Sequence, residues 1–256
     1  MIEPMKAWSF SKLSTFDECP KKFRFIYVDK LQGQIKSDPM AIGEGVHDFT
    51  EFYSMNHNAS LEECEARYIH AACRATSLVN ESKVDLHLPI VKWYMESGKV
   101  LTPFRSPNDD KPLTEKWFKL DCGDGLRCNG KIDIVTENEC IVDYKSAKTM
   151  YTKQEADEVH EIISGKGLQL TIYTAAFVQW FDRLPKKVGL QVIPKDYSEI
   201  QNIGSIRTLE DIETVKKYIR NAHSRYLLML EAGTFPKGLN AKCFWCSFRE
   251  ECRNEV

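Results

Sequence analysis

The stretch Gly130-Lys-Ile-Asp133-Ile-Val-Thr-Glu-Asn-Glu-Cys-Ile-Val-Asp143-Tyr-Lys145 holds the residues best suited to chemistry. Two arms of β-forming composition flank the polar turn Glu137-Asn138-Glu139, which predicts a hairpin. With Asn138 at its centre, Asp133 and Asp143 stand opposite each other and project from the same face. Opposed like charges destabilise a strand pair unless something neutralises them. A divalent cation does so naturally, because carboxylate oxygens are hard ligands suited to Mg²⁺ or Mn²⁺. Lys145, two residues past Asp143, shares its face and brings an ammonium to the same place. The set fits metal-assisted hydrolysis of a phosphodiester: the cation acidifies water and polarises the ester, while Lys145 orients the nucleophile or offsets transition-state charge. Spacing alone leaves open a simple surface ion pair between Asp143 and Lys145.

Gln169 and Tyr173 are four apart on one face of a predicted buried helix over 169–180, so an amide and a phenol can reach one phosphate or order Lys145. His47 follows Gly43 and Gly45, whose missing side chains allow close backbone approach, and imidazole is an acceptable ligand for Mn²⁺. Glu115, on the strand before Asp133, is a further carboxylate candidate. Taken singly, each of these residues also fits an ordinary core or surface role.

The N-terminal MIEPMKAWSF has neither a basic segment followed by an apolar core nor a small-residue cleavage site, so a cytoplasmic protein is expected, in a bacterial or archaeal cell or phage-encoded in a host. A reducing compartment turns nine cysteines towards metal ligation or burial rather than disulfides. Cys64, Cys73, Cys122, Cys128 and Cys140 are scattered among apolar or mixed residues and read as free thiols. Cys243, Cys246 and Cys252 form C-x2-C-x5-C, which needs a fourth ligand, and Cys19 in Phe-Asp-Glu-Cys-Pro is the best candidate. The ligand types do not separate zinc from an iron-sulfur cluster.

Elements to carry these residues follow from the rest of the 256-residue chain. Ser11 is read as the cap of a helix from Lys12, broken at Pro20; Ile42–Tyr53 leads into another helix, and Ser60 with Glu63 boxes a third through Ala75. Period-two patterning from Leu113 predicts three strands, residues 147–167 read as a long loop able to act as a lid, and 187–193 as a returning strand. Thr208 and Asp211 cap a long helix closed at Gly233. The expected product is α/β, with a mixed sheet and helices packed on it. No apolar run is long enough to span a membrane, and the net charge of -2 lends no global support to nucleic-acid binding. Local basic clusters remain, Lys21, Lys22, Arg24 and Lys30 with aromatics interleaved, and Lys216, Lys217, Arg220 and Arg225, which could line a groove for a single strand.

Gly-Lys-Ile-Asp133 and Val-Asp143-Tyr-Lys145 resemble motifs II and III of the PD-(D/E)XK nuclease superfamily. Gln169-Leu-Thr-Ile-Tyr173 resembles the Q-x-x-x-Y motif of its RecB-like branch, and Gly-Glu-Gly-Val-His47 that branch's upstream metal-binding histidine. The context of Cys19 and of Cys243-Phe-Trp-Cys246 to Cys252 is similar to the iron-sulfur RecB-like nucleases, including the CRISPR-associated iron-sulfur exonucleases and the AddB nuclease domain. This resemblance implies a restriction-endonuclease-like core in a single nuclease domain over 1–256: helical residues 1–100, core 113–195, and a C-terminal region 208–256 joined to Cys19. It implies a metal held by His47, Asp133, Asp143 and the Tyr144 carbonyl, with Lys145 assisting water and Gln169 and Tyr173 positioning substrate or Lys145. It also implies a [4Fe-4S] cluster on Cys19, Cys243, Cys246 and Cys252. The implied activity is Mg²⁺- or Mn²⁺-dependent exonucleolytic hydrolysis of single-stranded DNA or DNA ends, in recombination, repair or CRISPR-type adaptation. The alternative is a non-catalytic DNA-end binding subunit serving a helicase, recombinase or integrase. No P-loop is present, so any unwinding belongs to another chain.

Overall fold

The computed structural model describes residues 4–31, 38–75, 80–107 and 110–254. In chain order the elements are β1 (Ala7–Trp8), α1 (Phe10–Glu18), α2 (Pro20–Phe23), α3 (Asp38–Met55), α4 (Leu61–Ala75), α5 (Glu81–His87), α6 (Ile90–Glu96), β2 (Thr114–Asp121), β3 (Arg127–Val135), β4 (Cys140–Ala147), α7 (Lys153–Asp157), α8 (Gly165–Phe181), β5 (Lys187–Pro194), β6 (Gln201–Ser205), α9 (Leu209–Glu231) and α10 (Arg249–Asn254). The class is mixed α/β, as expected. The chain divides into two compact units. The larger holds Ile35–Phe118 and Lys131–Ile212; the smaller holds Met1–Gln34, Lys119–Gly130 and Glu213–Val256.

In the larger unit β3 pairs antiparallel with β4, β4 runs parallel to β5 along its whole length, and β5 pairs antiparallel with β6. β6 has no counterpart in the sequence reading. Its QNIGS composition is polar, and its pairing comes from β5, where a Cβ on Gly189 would lie 2.1 Å from the Ile203 carbonyl oxygen. α3 and α4 pack through Gly45, where an added Cβ would meet the Tyr68 ring and carbonyl at 2.8 Å. Gly45 therefore serves helix packing rather than approach to a ligand. Phe49, Tyr68, Tyr94, Ile134 and Tyr144 fill the core between these helices and the strands.

Residues 147–167 contain more structure than the expected loop. Thr152 and Glu155 form a reciprocal capping box that starts α7, a 3-10 turn spans Glu158–His160, and α8 begins at Gly165. Buried Arg207 holds this segment. Its guanidinium donates to the carbonyls of Val159 (2.6 Å) and Glu161 (2.8 Å), to Thr171 Oγ1 on α8 (2.8 Å) and to Ser205 Oγ (2.7 Å).

The smaller unit is built on aromatics. Trp8 stacks on Phe23 with centroids 5.5 Å apart and meets Phe16 and Tyr226 edge-on. β1 pairs in parallel with the start of β3. The cap of α1 is Ser9, which accepts from Lys12 N at 3.2 Å, two residues before the expected Ser11. Pro20 starts α2 as expected. Of the basic clusters read from sequence, Lys22 pairs with Glu18, Arg24 with Asp29, Lys216 with Glu213 and Arg225 with Asp17, while Arg220 donates to the Cys122 carbonyl. These cations serve the fold first. Among the described residues no helix is long and apolar enough to cross a membrane.

Candidate active site

The hairpin forms because Thr136-Glu137-Asn138-Glu139 closes tightly: Glu139 takes φ 58° and its N–H donates to the Thr136 carbonyl at 2.7 Å. The register pairs Ile134 with Val142 and Val135 with Ile141, and just past these pairs the Tyr144 N–H reaches Asp133, whose carboxyl feels the Asp143 charge. The expected juxtaposition is thus present. Asp143 is 1% exposed and Asp133 9%, so both carboxylates lie inside the protein.

Asp133 Oδ2 accepts from the Tyr144 N–H at 2.9 Å and lies 3.4 Å from His47 Nδ1, which α3 delivers. Asp143 Oδ2 is 2.6 Å from Lys145 Nζ. From α8, Gln169 Nε2 donates to Asp143 Oδ1 at 2.8 Å and Gln169 Oε1 accepts from Lys145 Nζ at 3.2 Å. The Tyr173 hydroxyl accepts from the same amide at 2.7 Å and donates towards Asp143 Oδ1 at 3.5 Å. All seven residues expected at the catalytic centre, Tyr144 included, meet in the larger unit.

Burial and the neighbouring Asp143 charge push the Asp133 carboxyl well above the ordinary carboxylate range, against the pull of Lys145, the Tyr144 N–H and Lys131. Burial would lower the Lys145 ammonium, but Asp143 and then Asp133 reverse that, and its pKa lies above its ordinary value. Burial lowers His47 and favours the neutral imidazole that can act as a ligand. Burial with the Asp143 charge thus outweighs the pull of the nearby cations at Asp133, and two carboxylates with a neutral imidazole are ligand types suited to Mg²⁺ or Mn²⁺. Among the described residues no three His, Cys, Asp or Glu side chains already converge closely enough to hold an ion. Lys145 provides the countercharge at Asp143.

His47, Asp133 and Lys145 open onto a cleft of about 690 Å³. Glu51 and Lys131, not singled out from the sequence, share it with the candidate carboxylate Glu115. Glu51 stands one turn past His47 on α3, its pKa raised by burial, and the i, i+4 spacing could have flagged it. Lys131 lies two residues before Asp133, and it pairs with Glu115. Glu115 thus lines the cleft as an ion-paired carboxylate.

Cys19, Cys243, Cys246 and Cys252 line a separate cavity of about 340 Å³ in the smaller unit, walled by Phe25 and Phe248. Cys19 Sγ accepts from the Lys22 N–H (3.4 Å) and the Gly238 N–H (3.2 Å), and a Cβ on Gly238 would lie 2.1 Å from the Glu18 carbonyl oxygen. The tail is thereby seated against Cys19. Cys64, Cys122 and Cys128 are buried.

The fold has relatives among solved structures. A candidate exonuclease from Eubacterium rectale is similar at a TM-score of 0.54 and 13% identity, covering 98% of this chain and 88% of that one. SSO0001 matches at a TM-score of 0.43 and 11% identity, covering 100% of this chain and 90% of the other. No curated protein sequence matches. A sequence model of the PD-(D/E)XK nuclease superfamily covers residues 7–253, spanning the hairpin, His47, the Gln169–Tyr173 helix and all four tail-cavity cysteines, and the chain belongs to that superfamily.

Proposed function

We propose that the protein is a metal-dependent deoxyribonuclease acting exonucleolytically on single strands or DNA ends. The observation that carries this reading is the network joining Asp143, Lys145, Gln169 and Tyr173, next to the paired Asp133 and His47, with His47, Asp133 and Lys145 lining a cleft. The exonucleolytic part takes support from the candidate exonuclease of similar fold. Superfamily members use divalent metals, and here Asp133, Asp143, His47 and the Tyr144 carbonyl would hold Mg²⁺ or Mn²⁺. When bound, the ion supplies Lewis-acid polarisation of the phosphate and acidifies water.

The protein's own part is positional and electrostatic. Lys145, kept protonated by Asp143, offsets charge on the phosphate rather than removing a proton. Gln169 holds Lys145 and Asp143 in fixed relation, and Tyr173 holds Gln169. Duplex ends would reach the cleft through a partner helicase, recombinase or integrase in recombination, repair or CRISPR-type adaptation.

The tail cavity is proposed to hold a [4Fe-4S] cluster. Four thiols around one space, two N–H groups aimed at Cys19 and an apolar wall support it. The decisive assay supplies Mg²⁺ or Mn²⁺ to anaerobically purified protein with end-labelled linear strands and closed single-stranded circles. Loss of the linear strand with the circle spared, abolished by EDTA, is expected. Cutting of both would make the enzyme an endonuclease. Cutting of neither, with cluster and metal present, would return the protein to a DNA-end binding role.

A further inference from the structure

The charge of the chain is unevenly divided. The smaller unit carries 16 Lys and Arg against 11 Asp and Glu, whereas the larger carries 19 against 26. A net charge of -2 hides one basic and one acidic unit. On the basic unit lie the two most exposed large apolar side chains among the described residues, Leu239 at 87% and Trp245 at 83%, with Phe244 next to Trp245 at 62%. Their rings do not fill a core. Phe244 and Trp245 sit edge-to-face, centroids 4.8 Å apart, and the Arg249 guanidinium lies 5.2 Å over the Phe244 ring.

The segment that presents them is held in place. Asn240 caps the 3-10 turn Ala241–Trp245 by accepting from Lys242 N at 2.9 Å, and its amide donates to the Glu18 carbonyl at 3.3 Å. Phe244, Leu239, Lys237, Arg249 and Arg253 all border the cysteine cavity, and Trp245 joins them through its contact with Phe244. Glu250 and Glu251, the acidic residues nearby in α10, do not border it. Exposed rings interleaved with guanidinium and ammonium groups suit bases that stack and phosphates that need countercharge.

We propose that Trp245 and Phe244 form a stacking platform for a single nucleic-acid strand, with Arg249, Lys237 and Arg253 contacting its phosphates. The occupant is a strand of unrestricted sequence, because stacking and charge read no base edge. This rests on the nuclease reading for the polymer's identity, and it adds a second point of attachment on the same molecule. A strand held here is retained between cleavage events, so the platform acts on affinity for long substrates and leaves bond-breaking to the other unit.

The test uses holoprotein with its iron content matched between variants. Binding of a fluorescein-labelled oligothymidine is measured in EDTA, and turnover of thymidine 5′-p-nitrophenyl phosphate, too small to span two sites, is measured with Mn²⁺. Trp245→Leu is expected to weaken oligonucleotide binding on the order of tenfold. Trp245→Phe keeps most of the affinity, and both variants hydrolyse the small ester like wild type. Trp245→Leu binding as tightly as wild type overturns the platform, as does an equal loss in the Phe and Leu variants. So does a patch whose substitution changes only self-association in sedimentation. If wild type neither binds the oligonucleotide nor cleaves the ester, the nuclease reading itself has failed; wild-type cleavage of both with indifferent variants removes only the platform.

Discussion

The Gln169 amide donates to Asp143 Oδ1 over 2.8 Å while its oxygen accepts from the lysine that pairs with that same aspartate. One side chain thus fixes the spacing of a carboxylate and an ammonium, using both ends of a group that can donate and accept. Gln169→Leu removes both bonds without adding charge. Its kcat is expected to fall about 100-fold with little change in DNA affinity, the pattern of an interaction made in the transition state. A loss confined to KM would show that Gln169 only binds substrate.

Lys145→Ala should lose about 1000-fold or more in cleavage while retaining most of its DNA affinity. The raised pKa of Lys145 implies that it stays cationic up to its ordinary titration range, so wild-type activity should show no rise attributable to its deprotonation. Wild-type turnover by the alanine variant would remove the proposed mechanism.

Gly167 sits in the first turn of α8, where an added Cβ would lie 1.9 Å from the Glu161 carbonyl oxygen. Backbone cannot yield as a flexible side chain can. Gly167→Ala is expected to cost about 2–4 kcal/mol of stability, read by denaturant titration, and to displace the helix that carries Gln169. A loss under about 0.5 kcal/mol would mean the segment relaxes freely.

Trp8 Nε1–H donates to His223 Nδ1 at 3.3 Å, and burial lowers the His223 pKa below its ordinary 6.5. The unfolded chain takes up a proton as pH falls through that value, whereas the folded chain resists. This contribution to stability is therefore complete above about pH 6.5 and is lost progressively below it. His223→Gln keeps an acceptor that does not titrate. The fall in Tm between about pH 7.5 and 5.5 should be smaller in that variant, and an unchanged fall would clear His223 of any part in it.

Cys252→Ser should lose bound iron and lower Tm, whereas Cys73→Ser, in the larger unit, should keep the full iron content. Equal iron in both would exclude the tail cysteines as ligands. Zinc in place of iron, measured by metal analysis, would keep the ligands and change the metal.

The hairpin was legible because a short polar turn between two β-forming arms leaves little choice of register, and Asp133 and Asp143 flank the paired residues Ile134 and Val142. The boxes at Ser60–Glu63 and Thr208–Asp211 formed as read. The capping box at Thr152 was equally visible in the sequence, yet the polar, glycine-bearing surroundings disguised it as loop. β6 and the Arg207 anchor depend on partners distant in sequence, so no local pattern announces them. Lys131 and Glu115 needed the β2–β3 pairing to reveal them as partners. The partners of the basic clusters were not legible, because charge in a sequence does not show which acid or carbonyl a cation will meet.

The two units are also threaded differently along the chain. Every residue of the larger one has been specified by Ile212, while the smaller gathers its last segment from Glu213 onwards. A ribosome therefore finishes the unit bearing the hairpin first, and the aromatic cluster that needs Tyr226 waits for the final segment. The acidic unit is thus complete in sequence, with Asp133 and Asp143 both translated, at a stage when the basic unit still lacks the tail that meets Cys19.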